Sequence, residues 1–187
     1  MRIIGIDPGS LTTGYGIIDA ASQAVAAVDF GVVCTHAKEE MALRLKHIYD
    51  RLSQLLQQHR PTRLALETAF YGKNAQSALK LGQVRGVVLL LAVSYGLEIT
   101  EYSPREVKQA LTGNGNAAKE QVAFMVRKFL CLSDTGPFLD ASDALGIALC
   151  DALRHNSPQA VTKRTLQRKS QSWKRFLEAH PHLIIQS

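Results

Sequence analysis

Four acidic residues stand where their carboxylates could act together. Asp7 and Glu67 each follow a short apolar run typical of a buried strand, and Asp140 and Asp143 lie near the start of a helical pattern. Residues three apart on a helix share one face, so the later pair points in one direction. Carboxylates brought together repel each other, and such a cluster binds protons more tightly or recruits cations. The pattern therefore predicts a cation site lined by carboxylates.

An anionic site made of oxygen atoms suits hard divalent cations. We expect two Mg²⁺ ions per site, with Mn²⁺ able to replace them, because such a pair activates water and stabilises the leaving oxygen of a phosphodiester. Taken singly, each acid has a better ordinary interpretation. Asp7 suits a turn before Pro8, Glu67 suits a strand end, and the later pair suits a helix N-cap and first turn. Only the joint pattern of all four acids favours a shared site.

The strands that position the first two acids follow from short apolar runs. Runs at 3–6 and 15–18 flank a glycine-rich stretch, which predicts a hairpin, and alternation over 28–34 predicts a third strand. The residues predicted to face inward on that strand are Val28, Phe30, Val32 and Cys34. A run at 64–66 predicts a strand parallel to the first, because a helix has crossed the sheet before it. Ligands of open α/β sheets bind at the carboxyl ends of strands, which places Asp7 and Glu67 in one crevice.

The helices follow from the 3.6-residue period. Residues 41–59 predict an amphipathic helix with Arg44 on its charged side, and 74–95 predict a long helix. The segment 87–93 of that helix is apolar on every side, so we expect it to be buried in the core or under a partner subunit. The other predicted elements are a strand over 97–102, a helix that begins at a Ser103 capping box, a helix that ends near Leu130, and a last helix over 140–155.

Five segments of the chain resemble one known family. They are IGIDPGS at 4–10, LETAF at 66–70, KNAQSALKLGQVRG at 73–86, VKQ at 107–109 and DASDAL at 140–145. In this order, and over about residues 1–155, the chain is similar to the RuvC family of bacterial Holliday-junction resolvases. The resemblance implies an α/β, ribonuclease H-like fold with a mixed five-stranded sheet flanked by helices. It also implies Mg²⁺-dependent paired nicking of four-way DNA junctions in recombination and repair.

The resemblance further implies a homodimer, a branch-migration partner of the RuvA–RuvB type, and roles for individual residues. By position, Asp7, Glu67, Asp140 and Asp143 are the implied metal ligands. Lys119 joins them as a catalytic residue, and it lies with Lys108 near the scissile phosphate. No activated Ser, Cys or Tyr is evident beside a base, so we expect water to be the nucleophile.

Lys119 also stands out by its place in the sequence. Asn116 is the expected N-cap of the following helix, which puts the Lys119 cation where it opposes the helix dipole. A residue that opposes a local structural preference, here a cation at a helix N-terminus, is expected more often at functional sites. The preceding loop over 113–116 could present backbone amides to a phosphate. Without the resemblance, a solvated lysine would be the better interpretation.

Aromatic and basic residues complete the predicted DNA surface. By resemblance, Phe70 is a wedge on which an unpaired base stacks, with Tyr71 as its neighbour; such stacking contributes roughly 1–3 kcal/mol per base. Without the family, a packed loop aromatic would be the better interpretation. The basic residues predicted to bind DNA are Lys73, Lys80, Arg85, Lys108 and Lys119.

Charge divides the chain into a body over 1–157, the predicted nuclease domain, and a basic tail over 158–187. The tail has six basic residues against one acidic, and the body has 16 against 15. A basic tail attracts polyanions such as DNA, but it can equally serve solubility. We expect it to be flexible.

Length and composition limit the remaining possibilities. The 187 residues suit one domain, and 46% hydrophobic content excludes disorder over most of the chain. We expect no window to approach a membrane span, no signal peptide, and hence a cytoplasmic protein without a membrane partner. Three widely spaced cysteines predict neither a disulfide framework nor a zinc site.

Three other functions remain to be weighed. The stretch 7–13 also resembles the first phosphate loop of actin-like ATPases, but that fold needs two lobes and a second such loop. A noncatalytic junction-binding protein would have no need of four acids. An RNA-processing nuclease of the same fold stays open on chemical grounds, and only the detailed motif match disfavours it.

Overall fold

The computed structural model describes residues 1–21, 24–68, 74–132 and 139–155, and at residues 139 and 140 only the backbone. The predictions on Phe70, Tyr71, Lys73 and the tail over 158–187 lie outside the described residues. The described elements are β1 (Arg2–Asp7), β2 (Thr12–Ala20), β3 (Val25–Cys34), α1 (Met41–His59), β4 (Arg63–Glu67), α2 (Ala75–Ser94), β5 (Glu98–Tyr102), α3 (Pro104–Thr112), α4 (Lys119–Phe129) and α5 (Leu139–His155).

The five strands form one mixed sheet in the order β3-β2-β1-β4-β5. Strands β1, β2 and β3 form the predicted antiparallel meander, and β4 and β5 run parallel to β1. Ile6 pairs with Leu66, so Asp7 and Glu67 follow at the same edge of the sheet. This confirms the predicted neighbourhood of the two strand ends.

Helices cover both faces of the sheet. Residues that alternate along the strands enter two separate cores, as the period of two requires. On one face, Ile4 and Ile17 pack with α1 and α2. On the other face, Ile3 and Ile18 pack with α3, α4 and α5. Because helices cover both faces of the central strands, the carboxyl-end edge of those strands is where polar groups can gather around a ligand.

Helix α5 lies unusually close to the two central strands. A Cβ on Gly5 would lie 2.1 Å from the Ala144 carbonyl oxygen, and one on Gly16 would lie 2.7 Å from the Leu145 backbone nitrogen. Both distances are far below normal van der Waals contact. Glycine at these two positions is therefore required for the helix backbone to rest on the sheet.

The predicted inward face of β3 is only partly right: Phe30 packs against one core. Val28 and Cys34 are exposed, and Val33 is the buried residue of the strand. A β-bulge accounts for Val28: Ile17 pairs with Asp29 but Ile18 pairs with Ala27, which leaves Val28 outside the ladder. A bulge inserts one residue and disrupts the alternation along its strand.

The core of this chain covers only one side of the apolar part of α2, and its predicted burial under a partner subunit stays a prediction. Val88 and Leu91 are buried, but Leu90 is 62% exposed and Val93 is 69% exposed, so the segment is not covered on every side in this chain. By length and composition alone, α2 could cross a membrane, contrary to the expectation that no segment approaches a span. In the structure its buried side packs against α1.

Replacing Gly5 by Ala is expected to lower the free energy of unfolding by about 3 kcal/mol, the upper end of the usual cost of overpacking, because the new methyl group would overlap backbone atoms of α5. Gly82→Ala is the matched control, since its Cβ would meet nothing within 4 Å in this chain. Helix propensity then favours alanine by about 1 kcal/mol. Urea unfolding of both variants measures the difference, and equal stabilities would contradict the close packing.

Candidate active site

The predicted site residues meet in a cleft at the carboxyl end of β4. Glu67 comes from the strand end, Asp143 from the first turns of α5, Lys108 from α3 and Lys119 from α4. The cleft has a volume of about 190 Å³, and its lining residues are Glu67, Pro104, Val107, Lys108, Lys119, Val122, Asp143 and Ile147. Two acids and two cations that lie far apart in the sequence therefore share one cavity.

Lys119 and Asp143 form an ion pair across this cleft. The Lys119 Nζ lies 2.7 Å from Asp143 Oδ2, and the two side chains are 50% and 30% exposed. Lys119 lies in the first turn of α4, as predicted, but it is the first helical residue because the N-cap is Ala118 rather than Asn116. The Ala118 N–H donates to Gln121 Oε1 at 3.0 Å, whereas the Asn116 N–H donates within the preceding turn. The cation does stand at a helix N-terminus.

The loop before α4 does not offer its amides to a phosphate as predicted. The Gly115 N–H donates to Gln109 Oε1 and the Asn114 N–H to Thr112 Oγ1. The Gly113 N–H closes α3 by donating to the Gln109 carbonyl oxygen. These three backbone N–H groups already donate to acceptors within the segment 109–115. They are therefore not directed at a phosphate, and the loop links α3 to α4.

The environment of Glu67 disfavours its charged form. Burial raises the pKa of the Glu67 carboxyl, and the negative charge of Asp143 raises that pKa further. The cations of Lys119 and Lys108 lower it only in part. An ionised Glu67 therefore stands in a position where additional positive charge would be favourable.

The other two predicted ligands are only partly located. Asp7 is half-buried at the end of β1, beside the end of β4. Asp140 lies within the first turn of α5, which begins at Leu139, and not at the N-cap. Its side chain is outside the described part of the structure. Among the described side chains, no three His, Cys or acidic groups lie close enough together to hold a metal ion.

Two arginines support the site in roles that the sequence did not suggest. The Arg85 guanidinium on α2 donates to the Glu67 carbonyl oxygen and, at 3.0 Å, to Glu101 Oε1. Arg85 was predicted to bind DNA, but in this structure it holds the end of β4.

Arg44 is buried, not on a solvated helix face, and it donates to the Ser10 carbonyl oxygen after β1. A basic residue on an apolar helix was the available signal for Arg85. Lys80 is exposed on α2, and its predicted contact with DNA stays a prediction.

Comparisons with known proteins agree with this geometry. The family model of crossover junction endodeoxyribonuclease RuvC matches residues 3–151 of the chain. A crossover junction endodeoxyribonuclease RuvC of Chloroherpeton thalassium is 46% identical over 185 residues, which are 99% of this chain and 100% of that protein. The chain belongs to the RuvC family. The family inferred from the five sequence segments is thereby confirmed.

Further RuvC proteins extend the match to structure. The RuvC of Geobacter sulfurreducens is 49% identical over 152 residues, covering 81% of this chain and 92% of its own length. The structure of Thermus thermophilus RuvC in complex with Holliday junction substrate has a TM-score of 0.79 and 36% identity, covering 83% of this chain and 95% of that chain. This likeness confirms the predicted ribonuclease H-like fold.

Glu67→Gln is expected to raise the thermal stability of the chain at pH 7 in EDTA. A carboxyl whose pKa is higher in the folded state binds its proton more tightly there, so its contribution to stability falls as pH rises from the unfolded-state pKa toward the folded-state pKa. Ionised Glu67 therefore costs stability at pH values above its unfolded-state pKa, and the neutral amide removes that cost. Thermal melts of variant and wild type measure this effect.

Glu106→Gln is the matched control, because it is expected to change the melting temperature in the opposite direction. The Ser103 N–H lowers the pKa of the Glu106 carboxyl, so its ionised form stabilises the folded chain at neutral pH. This variant is expected to melt below the wild type. A Glu67→Gln chain that also melts lower would contradict the electrostatic account of the site.

Proposed function

We propose that this chain is a hydrolytic endonuclease that resolves four-way DNA junctions by paired, symmetric nicks in homologous recombination and DNA repair. The observation that carries this proposal is the cleft in which Glu67 and Asp143 face Lys108 and Lys119 in a chain of the RuvC family. The Thermus thermophilus relative, described in complex with Holliday junction substrate, supports the same substrate class here.

We propose Mg²⁺ as the cofactor, two ions to a site, with Mn²⁺ able to replace it. The residues present fit such ions, because carboxylate oxygens are their preferred ligands and the ionised form of Glu67 is destabilised by burial and by Asp143. Glu67 and Asp143 would hold the cations, with Asp7 and Asp140 completing the set. When bound, such ions lower the pKa of a water molecule and act as Lewis acids toward phosphate.

The chain's own cations have a separate task. In this structure Lys119 forms an ion pair with Asp143. A cation held by the Asp143 carboxylate would compete with that pair, and the Lys119 ammonium group would then be available to a phosphate. Lys108 lines the same cleft from α3. Positive charges already in place stabilise the negative charge that builds up on a phosphate during attack by water, without reorganisation at that moment. Both lysines therefore contribute to catalysis in this proposal.

We propose a homodimer, because two symmetric nicks require two sites and each chain supplies one. The exposed stripe on α2 supports it: Leu79, Leu90 and Val93 are 66%, 62% and 69% exposed and share one side of the helix. Such a surface pairs with a second copy of itself about a two-fold axis. Light scattering that returned the monomer mass of 20.5 kDa for a fully active protein would contradict the dimer.

Family membership also supports two further proposals. We propose that the chain works with a branch-migration complex of the RuvA–RuvB type and that it acts in the cytoplasm, where bacterial DNA lies. Both rest on the kinship of the whole body of the chain with RuvC proteins.

A synthetic four-way junction is expected to be nicked symmetrically in Mg²⁺ and left intact in EDTA, while a linear duplex of the same sequence is spared. Glu67→Gln and Asp143→Asn are each expected to slow single-turnover nicking at least about a hundredfold. Their affinity for the junction should be unchanged or higher, because a negative charge near phosphate is removed.

Asp50→Asn provides the control for these variants. It removes an acid of the same kind that pairs with Lys46 on the exposed side of α1, away from the cleft. We expect it to cut like the wild type. Near-normal nicking by both cleft variants would contradict the assignment of the site.

A further inference from the structure

A carboxylate outside the cleft is fully buried in α5. Asp151 has no exposed surface, and its two oxygens accept hydrogen bonds from Arg63 Nε at 2.7 Å and Arg63 Nη2 at 3.0 Å. The Tyr102 hydroxyl donates to the same carboxylate at 2.8 Å. Burying a charge is costly unless it is paired and hydrogen-bonded, and here both oxygens are satisfied. We call Arg63, Asp151 and Tyr102 the buried triad.

Tyr102 connects this triad to the strand that carries Glu67. It pairs in register with Glu67 across the β4–β5 ladder. Its carbonyl oxygen accepts the N–H of Thr68 at 2.8 Å, directly after Glu67. One residue is thus hydrogen-bonded to the end of β4 through its backbone and to α5 through its side chain.

Asp151 lies eight residues after Asp143 on the same helix. At a rise of 1.5 Å per residue, the two carboxylates are about 12 Å apart along the helix axis. Ile147, halfway between them, also lines the cleft, so the three share one side of α5. Any movement of the helix at Asp151 along its axis therefore moves Asp143 relative to Glu67.

Apolar packing and hydrogen bonds restrain α5 in different ways. The α5 residues nearest to Gly5 and Gly16 are Ala144, Leu145 and Ala148. Burial of such surface is favourable but has no preferred direction, whereas a hydrogen bond weakens steeply when its geometry changes. The buried triad supplies directional bonds from α5 to the strands.

We propose that Tyr102 and Asp151 are positioning residues. The hydrogen bond from the Tyr102 hydroxyl to Asp151 sets the separation of the Glu67 and Asp143 carboxylates. That separation in turn sets the affinity of the cleft for its divalent cation. This inference rests on the proposed function, because it assigns a cation to the same two carboxylates. Neither residue touches the substrate or the cation.

Tyr102→Phe tests the proposal, because it removes one hydroxyl and keeps both Arg63 bonds to Asp151. Calorimetric titration of the DNA-free chain with Mn²⁺ is expected to show weaker binding by up to roughly tenfold, the lower end of the effect of losing a hydrogen bond made directly to a metal ligand. The Mg²⁺ concentration for half-maximal nicking should rise by the same factor. Affinity for the junction in EDTA should not change.

Tyr95→Phe is the control, since it removes a hydroxyl that is bonded to Ser53 at 2.7 Å and to Gln57 at 2.9 Å, both on α1. It should bind Mn²⁺ like the wild type. Tyr102→Phe with unchanged Mn²⁺ affinity would overturn the positioning role, even if its melting temperature fell, because the triad would then be structural only.

The two proposals fail in different ways. A wild-type chain that does not cut the junction in Mg²⁺ would reject the proposed function. A wild-type chain that cuts, together with a Tyr102→Phe chain of normal Mn²⁺ affinity, would reject the positioning role alone. A wild-type chain that cuts in Mg²⁺ but binds no Mn²⁺ without DNA would overturn the positioning role, and one that neither cuts nor binds Mn²⁺ would overturn both.

Discussion

Helix α5 rests with its backbone directly on strands β1 and β2, and the candidate site depends on that contact. Gly5 and Gly16 have no side chains to hold the helix away, so Ala144 and Leu145 approach the strands more closely than any other residue type at those positions would allow. Because the first turns of α5 reach the edge of the sheet where β4 ends, Asp143 enters the cleft that Glu67 lines. A larger residue at either glycine would displace the whole helix.

The Glu67 carboxylate in the cleft is electrostatically unfavourable for the folded chain. Burial and a neighbouring carboxylate both act against the charge of Glu67, and two lysines offset this only in part. Hydrogen bonds hold this strand end in place: Arg85 donates to the Glu67 carbonyl oxygen, and the N–H of the next residue donates to the Tyr102 carbonyl oxygen. Sites where local rules are broken and the surrounding structure compensates are the places where function is expected.

Local patterns predicted the elements well, whereas partners from distant parts of the chain were not predictable. The bounds of α1, the parallel pairing of β4 with β1 and the capping box at Ser103 follow from short-range periodicity and caps, and the structure confirms them. The bulge that exposes Val28 depends on pairing with β2, and the long side chain of Arg85 finds its acceptor only in the folded chain. The same holds for Asp151, whose burial no sequence pattern indicates. The roles of the four acids stay predictions that their placement supports.

The most direct test of the account is an anomalous diffraction map from crystals of the wild-type chain soaked in Mn²⁺. The account predicts a strong peak within bonding distance of the Glu67 and Asp143 carboxylates, with the Lys119 ammonium group moved away from Asp143. A saturated crystal whose manganese peaks all lie elsewhere, with the 2.7 Å ion pair between Lys119 and Asp143 intact, would contradict it.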